Sequence, residues 1–126
     1  MPDAATFDEA ALRRMSREVD DRAFAWLFAS RYRQMLIGRV ARVTTALQQL
    51  DLEAALDAAL SLKVSSLIVG TCELADLARK VEVEVRLQDV TAARLSASQL
   101  WPAAVRADRA LGDYLAGSGQ PTCSIR

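Results

Sequence analysis

The sequence predicts an all-α fold: an antiparallel bundle of four long helices preceded by a short one. Three observations carry this. Apolar residues recur at intervals of three and four through every long segment. The 126 residues include only 3 prolines and 5 glycines, too few to interrupt long helices often. No stretch alternates apolar and polar residues in the manner of a half-buried strand. A chain of this length forms one domain with a core of its own, without disulfides or metal as staples. That domain is expected to occupy residues 1–119, with 120–126 as a flexible tail.

Each element follows from local chemistry. Thr6 and Glu9 frame Thr-Phe-Asp-Glu, a capping box for a short helix over residues 7–16 that turns Leu12 and Met15 inward. A much longer helix starts after Asp20 or Asp21. Phe24, Leu27, Phe28, Met35, Leu36, Val43, Leu47 and Leu50 recur along it at helical spacing, and Arg22, Arg31, Arg33, Arg39 and Arg42 decorate it. Asp51 is the N-cap of a third helix running to about Ile68. Gly70 ends it, because glycine takes the left-handed conformation that closes helices. The fourth helix starts close to Thr71. Leu74, Leu77, Ala78, Val81 and Val85 form its inner stripe, while Glu73, Asp76, Glu82 and Glu84 give an acidic outer face interrupted by Arg79 and Lys80. The fifth opens near Thr91 with Val90, Ala93, Ala97, Leu100, Ala104, Leu111 and Tyr114 as its stripe. Pro102 lies inside it and predicts a kink or short break, and Gly117-Ser118-Gly119 stops it. Short connections make sequential helices neighbours.

Composition narrows the function classes. The 16 basic and 16 acidic residues cancel, so there is no net positive field to attract nucleic acid. Histidine is absent and the two cysteines, Cys72 and Cys123, lie far apart, which argues against a zinc site. Two lone thiols, with an acidic start (Met1-Pro2-Asp3-Ala4) in place of a signal peptide's basic one, point to the cytoplasm. No apolar run reaches the roughly 20 residues of a membrane span. There is no nucleophile–base pair, no metal set and no phosphate loop, so neither an enzyme nor a cofactor is expected. Glu82 and Glu84 are two apart on a helix and diverge. Ser61, Ser65 and Ser66 have no base beside them and read as helix-packing residues. Trp26 and Trp101 read as core or interface anchors. The arginines of the second helix read as a solvated face paired with acidic neighbours. Cys72, at a helix N-terminus, is expected to have a lowered thiol pKa without a redox partner.

The segment Ala59-Leu60-Ser61-Leu62-Lys63-Val64-Ser65-Ser66-Leu67-Ile68-Val69-Gly70 resembles the core motif of histidine phosphotransfer (HPt) domains, roughly Ala-His-x-Leu-Lys-Gly-Ser-x-x-x-Leu-Gly. Leu62, Lys63, Ser65 and Gly70 fall in register. The resemblance extends over roughly residues 12–116. It takes in Phe28, Tyr32, Met35 and Leu36, then Ala46-Leu47 and Asp51, and after Gly70 the run Leu74, Leu77, Val81 and Glu82. It implies an HPt-like four-helix bundle. Three departures matter. Leu60 stands at the phosphoacceptor position, Val64 replaces the glycine that leaves the histidine accessible, and Leu67 and Ile68 replace residues that are often small or polar. Leucine has no imidazole nitrogen, so the frame is present without its chemistry. In the family the lysine matching Lys63 lies near the phosphoryl group. Here it reads either as a solvated surface lysine or as a contact for the acidic pocket of a receiver domain.

Helical geometry then separates two faces of the third helix. At about 100° per residue, Ala55, Ala59, Leu62, Ser66 and Val69 share the side that faces the core. Leu56, Leu60, Lys63, Val64 and Leu67 share another, which the resemblance equates with the receiver-docking surface. Four helices cover only one apolar face of each member, so the second stripe is either shielded by the leading helix or an interface. The expected role is a pseudo-phosphotransfer adaptor that binds a response-regulator receiver domain, or another two-component signalling protein, without accepting phosphate. Leu56, Leu60, Lys63, Val64 and Leu67 would carry the contact, with Arg39 and Arg42 at its rim. The alternative is self-association as a homodimer through the same stripe.

Overall fold

A computed structural model describes residues 6–19 and 22–118, and these form six helices with no strand among them. They are α1 (Glu9–Val19), α2 (Arg22–Gln48), α3 (Leu52–Val69), α4 (Cys72–Arg86), α5 (Val90–Ala97) and α6 (Leu100–Ser118). The tail from residue 119 onward, including Cys123, lies outside the described residues, as does the side chain of Met15.

Local signals set most boundaries. Asp51 caps α3, its side chain accepting from the Ala54 N–H at 3.1 Å, and Asp89 caps α5 in the same way from Ala92 at 3.1 Å. At α1 the cap is Asp8, which accepts from the Ala10 N–H at 2.9 Å, so the Thr6–Glu9 capping box is not the device used and the helix begins two residues later than expected. The expected single fifth helix is two. Ser98 and Gln99 separate α5 from α6, and Pro102 then sits in the first turn of α6, where its missing N–H is no loss. The break lies four residues before the proline because that is the carbonyl its ring would otherwise crowd. At the far end α6 continues through Gly117 to Ser118.

Three helices end with a residue in the left-handed region, yet only one of these is glycine: Gly70 (φ 99°), Leu50 (φ 57°) and Gln88 (φ 60°). After α2, Asp51 N–H donates to Ala46 and Leu50 N–H to Leu47. After α4, Asp89 donates to Glu84 and Gln88 to Val85. This double closure satisfies the last carbonyls but strains a residue with a side chain. Leu50 is also exposed, so little packing is lost by trimming it. Leu50→Gly and Gln88→Gly should each raise stability by about 0.5 kcal/mol, the relief of left-handed strain less the added freedom of the unfolded chain. Urea melts of the two variants check this.

Contacts fix the packing. Tyr32 meets Ser66 and Arg39 meets Ser61, so residue numbers rise on α2 as they fall on α3 and the two run antiparallel. Arg33–Asp108 and Arg94–Leu47 give the same relation between α2 and the α5–α6 rod. Gly112 leaves the space that the Arg33 guanidinium fills, since a Cβ there would fall 2.8 Å from it. α4 lies against α3, α5 and α6, and the short α1 rests on α2 and α3. Phe7, just before α1, packs edge-on against Tyr114 of α6 at 5.2 Å. The result is a helical bundle around one core. Half of its buried hydrophobic residues are alanines, among them Ala29, Ala55, Ala59, Ala78, Ala93 and Ala103, so the helices approach closely.

The inner stripes of α3, α4 and the α5–α6 rod are those expected: Ala55, Ala59, Leu62, Ser66 and Val69 are all fully buried, as are Leu74, Ala78, Val81, Ala93, Leu100 and Leu111. α2 departs from expectation. It turns inward Ala25, Ala29, Tyr32, Leu36, Val40, Val43 and Leu47, all spaced three or four apart, and leaves Phe24, Leu27 and Met35 about half exposed. α4 departs at one position. Glu82 is buried, not part of an acidic outer face.

Candidate functional site

The outward face of α3 and the adjoining half of α2 carry a group of exposed apolar side chains. On α3, Val64, Leu67 and Ile68 are exposed (50, 57 and 44 %), and Leu60 is part-buried one turn before Val64. Leu56 is drawn further in and packs against the core. Beside them on α2, Phe24, Leu27, Phe28, Arg31, Tyr32, Met35 and Arg39 line, with Ser65 of α3, an open groove of about 450 Å³. Contiguous exposed apolar surface is a feature of binding faces.

Two polar devices hold α2 and α3 in this relation. The Tyr32 hydroxyl sits 2.8 Å from Ser66 Oγ and 2.7 Å from Thr71 Oγ1, and all three side chains are buried. Burial pushes the Tyr32 phenol pKa up, against the lowering effect of its two hydroxyl partners and of Arg39. Tyr32→Phe should cost about 1–2 kcal/mol, because two buried hydroxyls lose a partner, and a denaturant midpoint at that of wild type would show the cluster to be dispensable. The second device is Arg39. Its Nη1 donates to Ser61 Oγ at 2.9 Å and Ser65 Oγ at 3.2 Å, and Ser65 in turn donates to the Ser61 carbonyl at 2.8 Å. Arg39 therefore belongs to the α2–α3 seam next to Leu60, whereas Arg42 is exposed in a shallower depression that it shares with Asp57.

Lys63 is neither solvated nor free. Its Nζ donates to Glu82 Oε1 at 2.8 Å across to α4, and Glu82 Oε2 accepts from Arg86 Nε at 3.2 Å. Hydrogen bonding from Lys63, opposed by burial and reinforced by Arg86, holds the Glu82 carboxyl below its ordinary value. No family model, no curated protein and no solved structure matches this chain. The site is therefore read from its own geometry.

Several expectations change here. Cys72 does sit at the N-terminus of α4, but its thiol pKa is raised, first by burial and then by the charges of Asp8 and Asp76, which outweigh the effect of helix amides. Trp26 and Trp101 are about half exposed and are not core anchors. Arg33 of α2 has the acidic neighbour expected of that arginine face, pairing in fork fashion with Asp108, and Arg106 of α6 pairs with Glu73 in the same way. Among the described residues no group of three or more histidine, cysteine or carboxylate side chains is placed to hold a metal, and no helix is long and apolar enough to cross a membrane. The α2 groove was missed by sequence reasoning because Phe24, Leu27 and Met35 look like core. The competing small-residue stripe, Ala25 and Ala29 continuing into Tyr32, was the signal available.

Proposed function

We propose that this chain is a pseudo-histidine-phosphotransfer domain, a non-catalytic cytoplasmic adaptor that binds a receiver domain or another two-component signalling protein. Counting α5 and α6 as one interrupted rod, four long antiparallel rods with a short leading helix make an HPt-like four-helix bundle. The observation that carries the reading is Leu60. It lies on the outward face of α3, within an otherwise HPt-like motif, beside exposed Val64 and Leu67. That position offers contact area and no nucleophile. Because Lys63 is committed to Glu82, the apolar stripe with Arg39 beside it is the binding element, and Lys63 supports it from behind.

Binding of purified receiver domains to wild type and Leu60→Asp tests this. A charge at the centre of the face should weaken binding by about tenfold or more, as disruption of a buried interface centre does. Unchanged binding would mean that the site lies elsewhere. The frame itself is tested by Leu60→His with Val64→Gly, which should accept phosphate from a phosphorylated receiver. No labelling by any competent receiver would count against an HPt origin.

A second reading rests on Val64, Leu67 and Ile68, which stand exposed together on one helix face and suit a flat seam between two copies. Sedimentation showing only monomer at high protein concentration would remove it.

A further inference from the structure

The α2 groove ends on a guanidinium whose strongest binding edge is empty. Arg39 Nη1 is held by Ser61 and Ser65, but Nη2 touches only the Met35 sulfur at 3.9 Å, and Nε is buried without a hydrogen-bond partner. The Nε–Nη2 edge is the one that takes a carboxylate with two parallel hydrogen bonds. The chain uses that edge elsewhere: Arg33 places Nε and Nη2 on Asp108 at 2.8 and 3.3 Å, and Arg106 places them on Glu73 at 3.0 and 2.7 Å. Among the described residues Arg39 makes no ion pair, and no carboxylate lines the groove.

We infer that the groove binds a small amphiphilic carboxylate, with its acid group on the Nε–Nη2 edge of Arg39 and its apolar body along Phe28, Leu27 and Phe24. The groove volume of about 450 Å³ lies within the range of small-ligand clefts, and its walls have their composition: mostly aromatic and aliphatic, with a few placed polar groups. From Phe24 to Arg39 the helix rises about 20 Å, enough for a medium or long alkyl chain laid along it. Charge complementarity selects the anion, and the two serines that pin Nη1 set the fork before the ligand arrives. Met35 lies with its sulfur against Nη2 in the free protein. Its unbranched, half-exposed side chain can swing aside at little cost. This site shares Arg39 with the receiver-binding reading but does not rest on it, since its argument uses the α2 groove and the unfilled Nε and Nη2 of Arg39.

Titration of dodecanoate below its micellar concentration, followed by calorimetry, tests the inference on the whole chain. Wild type should bind one molecule per chain. Dodecanol, with the same body and no charge, should bind about tenfold or more weakly, as should dodecanoate to Arg39→Gln, each having lost a charge-assisted pair. Arg39→Lys should also bind weakly, because a point charge does not reproduce the fork. Should the Arg39 variants melt early, the methyl resonance of Met35 in wild type provides the second readout, and it should shift with dodecanoate and not with dodecanol. No binding, many molecules per chain, equal affinity for the alcohol, or a groove closed by a second copy in solution would each overturn the assignment.

Discussion

Gly70→Ala should destabilise the fold by about 3 kcal/mol, which is large for a single added methyl group. Two effects add. Gly70 closes α3 at φ 99°, where a side chain costs about 1–2 kcal/mol. The new Cβ would also collide with the Asp8 carbonyl oxygen and fall 2.9 Å from Ala11 Cβ. Neither neighbour can yield alone, because Asp8 N–H donates to the Gly70 carbonyl at 2.6 Å and Ala11 is buried under the same segment. Relief requires lifting the start of α1, which uncovers buried Leu12 and the Phe7–Tyr114 contact. Equilibrium urea unfolding measures the loss. A midpoint within experimental error of wild type would mean that α1 does not rest on the end of α3.

Glu82→Gln should cost about 2 kcal/mol at neutral pH, between the values for exposed and fully buried ion pairs. The carboxylate bridges Lys63 and Arg86, with its side chain 12 % exposed and that of Lys63 22 %. Glutamine keeps the shape but leaves the ammonium without its counter-charge in a seam that water reaches poorly. The pH dependence has a definite sign. The folded-state carboxyl pKa is lowered from its ordinary 4.5, so the folded state binds fewer protons than the unfolded state in acid. Its contribution is fully present above that value and is lost as pH falls through the lowered one. Wild type should therefore lose more stability than Glu82→Gln on acidification below about pH 4.5, and the two should converge. Parallel pH profiles would show that the pair contributes nothing.

How far the sequence was legible depended on range. Most of the inward face of α3 could be read, because Ala55, Ala59, Leu62, Ser66 and Val69 obey one local periodicity, although buried Ala58 was not among them. Asp51 and Gly70 were legible for the same reason, since caps act within a few residues. α2 was not, because it carries two stripes. Large residues at 24, 27 and 35 suggest one inner face, and alanines with Tyr32 and Leu36 define the other. Close helix packing selects the smaller set, and that selection is made by the neighbours, not by α2. Glu82 illustrates the same limit. Its partner is 19 positions away, and only the register of α3 against α4 brings Lys63 to it. Its spacing from Ala78 and Val85 puts it at the margin of the buried face of α4, but nothing in its own helix names the lysine that pairs with it. The empty edge of Arg39 was likewise invisible, because it depends on two serines of another helix occupying one nitrogen and leaving the others.

The alanine-rich interior has a consequence for how this chain can change over time. Where helices touch through methyl groups, each contact is near its lower size limit, so there is almost no slack for growth. Enlarging Ala29, Ala59 or Ala78 would force axes apart along their whole length, whereas Val64, Leu67 and Met35 can be exchanged without disturbing any neighbour's backbone. Sequence drift is thereby steered away from the interior and toward the exposed side chains of α2 and α3. A scaffold of this kind can change its surface quickly while its architecture stays still.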